Sequence, residues 1–440
     1  MNKGLFLLIF ASCAVYFGCF KSSSDKSQLL NTVTLKISLV SGDGQTDTIG
    51  NTLPAPVVVK VLANDVPQSG YSVQFKGSGC GRYDTGTVIA GKDGLTAYSW
   101  SLTGDVGQQT LTAYVLNADN QKVDSVKIKA TAIAGGPGWH NGGCSLQTGL
   151  MPTSFCKLSS GRIFTSFTGG KTYLRYSDDN GVNWYAVASL GDSHQVNYVI
   201  SNALDEVYAL TSDGVFYSTD AGQSWANAGA APFDAATINA AIATPGGKLM
   251  VTTSEPAAAY VSADKGKTWT TAAKAAFPEA QPIEPYFNCP AEDKEGNLYV
   301  TDVYNMNLFK SGDAGATWYA VPIGGSVTPG IFYSFYIDPA NNFYVCSIFH
   351  TNGIYISEDE GTGYTGYMTS GQKYSNMSVQ SDGKFYFEDD SNGLYVFNSY
   401  NNSTLIFPFK DTGLQPYIVA KNGNMIVANW GKPYIRYYSK

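Results

Sequence analysis

Short runs in which apolar and polar residues alternate with a period of two recur through this 440-residue chain. Side chains of a strand point to its two faces in turn, so such alternation predicts a half-buried strand, and a brief unbroken apolar run predicts a strand buried on both faces. Thr32-Val33-Thr34-Leu35-Lys36-Ile37 and Tyr71-Ser72-Val73-Gln74-Phe75 are of the first kind, and Val57-Val58-Val59-Lys60-Val61 is of the second. Turn residues at Asn64-Asp65, Ser69-Gly70 and Asp93-Gly94 punctuate these strands at the spacing of a β-sandwich. Beyond a Gly/Pro-rich joint, Gly135-Gly136-Pro137-Gly138, apolar strands recur at Arg162-Ile163-Phe164, Glu206-Val207-Tyr208, Leu249-Met250-Val251, Leu298-Tyr299-Val300, Phe343-Tyr344-Val345, Phe385-Tyr386-Phe387 and Met425-Ile426-Val427. No helix of useful length is visible, so the pattern predicts an all-β chain in two parts.

The second part carries a repeated motif, Ser-x-Asp-x-Gly-x-x-Trp. Its four full copies are Ser177, Asp179, Gly181 and Trp184; Ser218, Asp220, Gly222 and Trp225; Ser262, Asp264, Gly266 and Trp269; and Ser311, Asp313, Gly315 and Trp318. A fifth copy, Ser357, Asp359 and Gly361, has Tyr364 in the Trp place. Successive copies start 41, 44, 49 and 46 residues apart, the length of a four-stranded antiparallel sheet with its turns, which is a propeller blade. Ser and Asp can accept hydrogen bonds from main-chain N–H groups in a tight turn, Gly supplies a positive φ, and Trp covers the hairpin with an apolar face.

Residues 144 to 440 thereby resemble the Asp-box (BNR) propellers found in sialidases, xyloglucanases, sortilin-like receptors and photosystem assembly factors. The resemblance implies that the boxes lie between third and fourth strands, on the face opposite the active site, and that their residues are structural. Seven apolar second strands imply seven blades, or six if the last segment is an extension. The chain stops after a third strand, Tyr434-Ile435-Arg436, so the outer strand of the last blade is expected from residues near 138 to 148, closing the ring.

Residues 29 to 133 resemble bacterial Ig-like modules of the invasin and intimin type. The likeness rests on Leu53-Pro54-Ala55-Pro56 before a Val-rich strand, Lys92-Asp93-Gly94 followed by Ala97, Trp100 and Leu102, and Gly107 before Thr110-Leu111-Thr112-Ala113. It implies a stalk or spacer, with Trp100 in the core and residues 134 to 143 as the linker. At the start, Lys3 precedes an apolar run from Leu5 to Phe17, then Gly18-Cys19 and a polar stretch from Lys21 to Lys26. The run is short for a membrane span and reads as a secretion signal. It resembles a bacterial lipoprotein signal, residues 1 to 18, which implies lipidation of Cys19 and a tether over 19 to 28. Cys13 is the rival, but cleavage there would leave Val15-Tyr16-Phe17 ahead of the polar stretch. The tether resembles those of lipoproteins in the Bacteroidetes, many of which capture polysaccharide, placing the protein in the cell envelope, on the outer membrane.

The formal charge is −7, becoming −8 without Lys3, and an acidic chain with four Arg is a poor nucleic-acid binder. Charged residues are only 14%, while 30 Tyr and 47 Gly suit exposed sheet with many turns. Three His and no Cys-x-x-Cys give no metal spacing, and no cofactor is expected. Cys144 and Cys156 are at a spacing that allows pairing, and buried thiols are the equal alternative.

If the boxes mark one face, the loops of the opposite face hold the candidate chemistry. The longest, Ala273 to Pro285, carries Lys274, Phe277, Glu279 and Glu284 ahead of Tyr286. Other loops present Asp192 with His194, Glu255, Asp302 with Tyr304, Phe349 with His350, Glu388-Asp389-Asp390, and Trp430 with Lys432. Aromatics beside acids hold sugars by stacking and hydrogen bonding, or simply cap the ring. Trp430, Tyr304, His350, Glu284, Asp302 and Tyr286 are the candidate ligand contacts. Thr153, Asn197, Asn239, Asn288, Tyr333, Ser375 and Gln415 share one register of the innermost strands and suggest a wet central channel.

A sialidase needs three converging arginines, and Arg162, Arg175 and Arg436 do not supply them. A xyloglucanase-type hydrolase needs two carboxylates across a cleft between two propellers, and one propeller is present. The expectation is therefore non-catalytic binding of a glycan or protein on the loop face. The alternatives are a glycoside hydrolase or lyase using residues such as Glu284, Asp302 or His350, and an envelope docking scaffold.

Overall fold

The computed structural model describes residues 33–77, 85–102, 107–133, 135–136, 138–141, 151–168, 174–191, 194–278, 284–321, 331–348, 353–368, 374–379, 384–389, 393–399, 402–408, 414–429 and 435–439. Among them the regular structure is strand, apart from three single-turn 3-10 helices, Ala188–Leu190, Ala235–Thr237 and Lys274–Ala276. No helix among the described residues is long and apolar enough to cross a membrane.

The first part is two sheets around one core. Leu35–Ser41, Val57–Ala63, Val66–Pro67 and Leu95–Tyr98 form one, and Gln45–Thr48, Ser72–Gly77, Thr85–Ile89, Gly107–Leu116 and Lys122–Ile133 form the other. Alternation decides which side chains go inside: Val57, Val59 and Val61 face Val73 and Phe75, Leu111 and Val115, with Trp100 among them. The first described strand begins at Leu35, and just before it the Thr34 N–H donates to Asn64 Oδ1 at 2.9 Å.

Among the described residues, the second part is a run of seven four-stranded antiparallel sheets. Their first strands are Met151–Lys157, Val196–Ser201, Ile238–Ala243, Phe287–Glu292, Ile331–Ile337, Tyr374–Val379 and Leu414–Val419. An apolar cluster fills the space between each sheet and the next, as where Phe164 and Leu174 meet Val199 and Val207. The last cluster joins the seventh sheet to the first, setting Ile418, Ile426 and Tyr437 against Ile163, Phe167 and Trp184. The outer strand of the seventh sheet is Gly138–Asn141, which comes from before the first sheet and pairs antiparallel with Ile435–Ser439. The sheets therefore form a β-propeller whose seventh sheet is completed by a strand from before the first.

Every first strand carries a bulge near the end where it begins. The ladder skips Thr153, Asn197, Asn239 and Tyr333 in four sheets, and two residues after Asn288, Ser375 and Leu414 in the other three. A bulge bends the strand and tightens its twist, as the inner wall of a ring requires. Polar side chains at these positions bind the neighbouring sheet. Thr153 Oγ1 donates to the Asn197 carbonyl at 2.6 Å, and Asn239 Nδ2 donates to the Phe287 carbonyl at 2.9 Å. The register read as a wet channel is thus, at Thr153 and Asn239, a stitch between sheets.

Candidate ligand-binding face

The boxes define one side of the ring. Each lies between the third and fourth strands of its sheet and closes by the same bonds. In the second box, Ser218 Oγ donates to Asp220 Oδ1 at 2.7 Å and accepts from Gly222 N at 2.8 Å. Asp220 also accepts from Ser224 N and Oγ, at 2.8 and 2.5 Å. Asp179, Asp264 and Asp313 repeat the pattern with Asn183, Thr268 and Thr317. The hydroxyls of Ser224, Thr268 and Thr317, followed by the main-chain N–H groups, hold the carboxyls of Asp220, Asp264 and Asp313 down at about 2. With their oxygens so engaged, these acids clip turns. Trp184, Trp269 and Trp318 each donate Nε1–H to the box glycine carbonyl, at 3.1, 3.0 and 3.1 Å, which the buried Trp225 Nε1 does not.

A second clip on this side escaped the sequence reading. Asp293 accepts from Glu295 N, Asn297 N, Asn297 Nδ2 and Tyr299 Oη, at 3.1, 2.8, 2.7 and 3.0 Å. Asp338 does the same with Ala340, Asn342 and Tyr344. The signal was present as Asp-x-x-x-Asn-x-Tyr, twice, between first and second strands. Arg162 also belongs to this side: its Nε and Nη2 donate to Asp178 at 2.6 and 2.8 Å, and Nη1 donates to the Ala221 carbonyl of the next box.

The opposite side is built from second-to-third-strand turns and fourth-to-first-strand connections. Tyr304 sits in the turn between Leu298–Asp302 and Asn307–Ser311, with 51% of its surface exposed, and Met306 beside it is 39% exposed. Asp302 is fully buried. Its Oδ1 accepts from Tyr286 N at 3.2 Å and Asn305 N at 3.3 Å, and its Oδ2 accepts from Asn305 Nδ2 at 2.7 Å. Val303 N donates to the Tyr286 carbonyl at 3.0 Å. These bonds tie the turn to the segment before Phe287, and the rings of Tyr286 and Tyr304 meet at 5.3 Å with a 45° tilt. Asp302 is therefore corrected from ligand contact to positioning residue, because burial and three internal bonds leave it no access to a ligand.

Glu284, exposed, pairs with Lys274 at 2.7 Å across the ends of the same long connection. Phe277, between them in sequence, is core rather than surface: it is 3% exposed and packs on Phe287, Phe309 and Trp318. His194 Nδ1 lies 2.9 Å from Asp213 Oδ2, and its ring rests on Phe216 at 4.4 Å. Deeper in the ring, burial pushes the Tyr198 phenol up to about 12, with Cys289 and Tyr286 near enough to add to it. Cys156 is a buried thiol outside any disulfide among the described residues, and Cys144 lies outside them. Trp430, His350, Glu279, Asp192, Phe349 and Cys19 lie outside the described residues, as do the side chains of Ser375, Gln415, Tyr333 and Arg436. Of the six candidate contacts, the structure brings together Tyr304, Tyr286 and Asp302, and sets Glu284 on the connection that leads into them. No group of three or more His, Cys, Asp or Glu poised for a metal occurs among the described residues.

No family model matches the chain, and no curated protein matches its sequence. Solved structures match in fold. PorZ, an essential bacterial surface component of the type-IX secretion system of Porphyromonas gingivalis, is 11% identical over 89% of this chain and 61% of its own, with a TM-score of 0.50. Catalytically inactive virginiamycin B lyase from Staphylococcus aureus with quinupristin is 13% identical over 67% of this chain and 99% of its own, also at 0.50. YCF48 from Cyanidioschyzon merolae is 13% identical over 68% and 98%, at 0.49. The class that the sheets and the two likenesses at 0.50 define is the β-propeller.

Proposed function

We propose that this is an envelope protein in which a seven-bladed Asp-box propeller, carried on an Ig-like sandwich and anchored by lipid at Cys19, binds a glycan on the face opposite its boxes. The observation that carries the reading is the Tyr304–Tyr286 pair. An exposed aromatic held in a turn by a buried carboxylate loses little conformational freedom on binding, and its flat face matches the apolar face of a pyranose. Glu284, two residues before Tyr286, and Glu255, in the second-to-third-strand turn of the preceding sheet, offer acceptors for hydroxyls, and both are exposed. A surface location suits the match to PorZ, which is itself a bacterial surface component.

The test is a screen of the chain from Phe20 to Lys440 against poly- and oligosaccharides, reading both retention and release of reducing ends. Retention without release is the expected result, and Tyr304→Ala should weaken it about 3- to 10-fold, the range for losing one aromatic contact. Release of product would overturn the binding reading in favour of catalysis on this face. One observation favours that second reading: Asp213 orients His194 as an acid orients a general base. In that case His194→Ala should abolish product release while retention persists. Silence in both channels would move the assignment to a protein ligand.

A further inference from the structure

The five boxes share Ser, Asp and Gly but differ in how far the residue that follows the glycine is buried. That position is Val182, Gln223, Lys267, Ala316 and Thr362 in chain order. Gln223, Lys267, Ala316 and Thr362 are exposed, as a turn-tip residue of a surface hairpin should be. Val182 is half-buried, and it packs on two cores at once: the core of the N-terminal two-sheet unit and the cluster between the seventh and first sheets. The one bulky apolar residue at this position is thus the one with something to cover it.

The joint between the two parts is built to match. Only residues 134–137 separate the strand Lys122–Ile133 from the closing strand Gly138–Asn141, a reach of about 14 Å even when extended. His140 holds the joint: its Nε2 is 2.6 Å from the Gly136 carbonyl, and its ring packs on Tyr437 at 5.2 Å. A Cβ on Gly135 would fall 2.3 Å from that ring, so the joint lies tightly against it. The closing strand, the first box and the last sheet therefore meet at one corner of the ring.

We propose that the N-terminal unit is docked rigidly on the box side of the ring through Val182, so that the opposite face is held turned away from the start of the chain. The docking stands on the packing alone. Its functional consequence, that the Tyr304 face is presented outward, rests on the reading given above. Half-burying one Val contributes less than a full Val side chain would, but a short joint makes the local concentration of the two surfaces high, so one contact can fix an orientation.

The experiment is small-angle scattering and proteinase K cleavage of the chain from Phe20 to Lys440, comparing wild type with Val182→Gln and Val182→Lys. Other boxes carry these residues at the same place, so the box itself should close. Expected results are a compact wild type cut slowly at 134–137, and variants with a larger radius of gyration cut there at least fivefold faster. Unchanged scattering and cleavage in both variants would overturn the proposal. If Val182→Lys loses its circular dichroism, Val182→Gln decides. Neither readout uses a ligand, so failure of the glycan reading leaves this result standing, and failure here leaves the glycan screen unaffected.

Discussion

At the scale of single residues, the box acids show how a conspicuous carboxylate can be structural. Asp220, Asp264 and Asp313 each accept from two hydroxyls and a main-chain N–H, and those bonds favour the charged form. Their carboxyls sit at about 2 in the folded chain, against about 3.9 for an unfolded Asp. A depressed folded value means that the stabilisation is fully present above the unfolded value and is lost as pH falls through the folded one. Thermal melts of wild type and Asp264→Asn should therefore differ most at pH 5, with the gap narrowing toward pH 2. A gap that stays constant over this range would show that the carboxyl charge contributes nothing to the clip. Asp302 is the contrasting case. It looked like a ligand contact because it precedes an exposed Tyr, yet its oxygens face its own turn. Whether an acid points outward or inward depends on where the next two N–H groups fall, which residue order alone does not reveal.

At the scale of elements, the glycines of the four full boxes couple one sheet to the one before it. Gly222 has φ +84°, and a Cβ there would lie 2.8 Å from Phe164 Cζ in the preceding sheet. Gly247 has nearly the same φ, +83°, with nothing within 4 Å. Gly247→Ala should thus cost only the left-handed backbone, about 1 kcal/mol, whereas Gly222→Ala adds a clash and should cost about 2–3 kcal/mol. Urea unfolding of the two variants measures the difference, and equal losses would mean that the box glycine answers only to its φ. The strands and boxes were legible because their signals are local: alternation, Ser-Asp-Gly-Trp spacing and the turn residues between. The bulges were not. A polar residue at Thr153 or Asn239 reads the same whether it lines a channel or reaches to the next sheet, and the choice is made by the curvature of the ring. Phe277 was misplaced for a related reason, since its burial comes from Phe309 and Trp318, both more than thirty residues away.

At the scale of the whole molecule, the closing strand joins the two ends of the ring. Gly138–Asn141 pairs with Ile435–Ser439 in the register Trp139↔Tyr438 and His140↔Tyr437. The pairing satisfies an edge that would otherwise be left open, and an unpaired edge is costly. The docking of the N-terminal unit was not foreseeable, because Val182 is unremarkable until one sees what lies over it. Closure makes the seven inter-sheet cores interdependent, since opening one edge exposes the cluster of Ile418, Ile426 and Tyr437. Prolines at both 139 and 140 would remove whichever N–H groups serve the ladder, and proline inside a ladder costs about 3 kcal/mol or more. For a ring of this size that corresponds to a fall in Tm of roughly 5–10 °C. The fall should appear across the whole propeller transition in calorimetry, because a closed ring has no sheet that can stay folded while its neighbours part. A small separate transition, with the main one unmoved, would show instead that the seventh sheet opens by itself and that the other six hold one another without it.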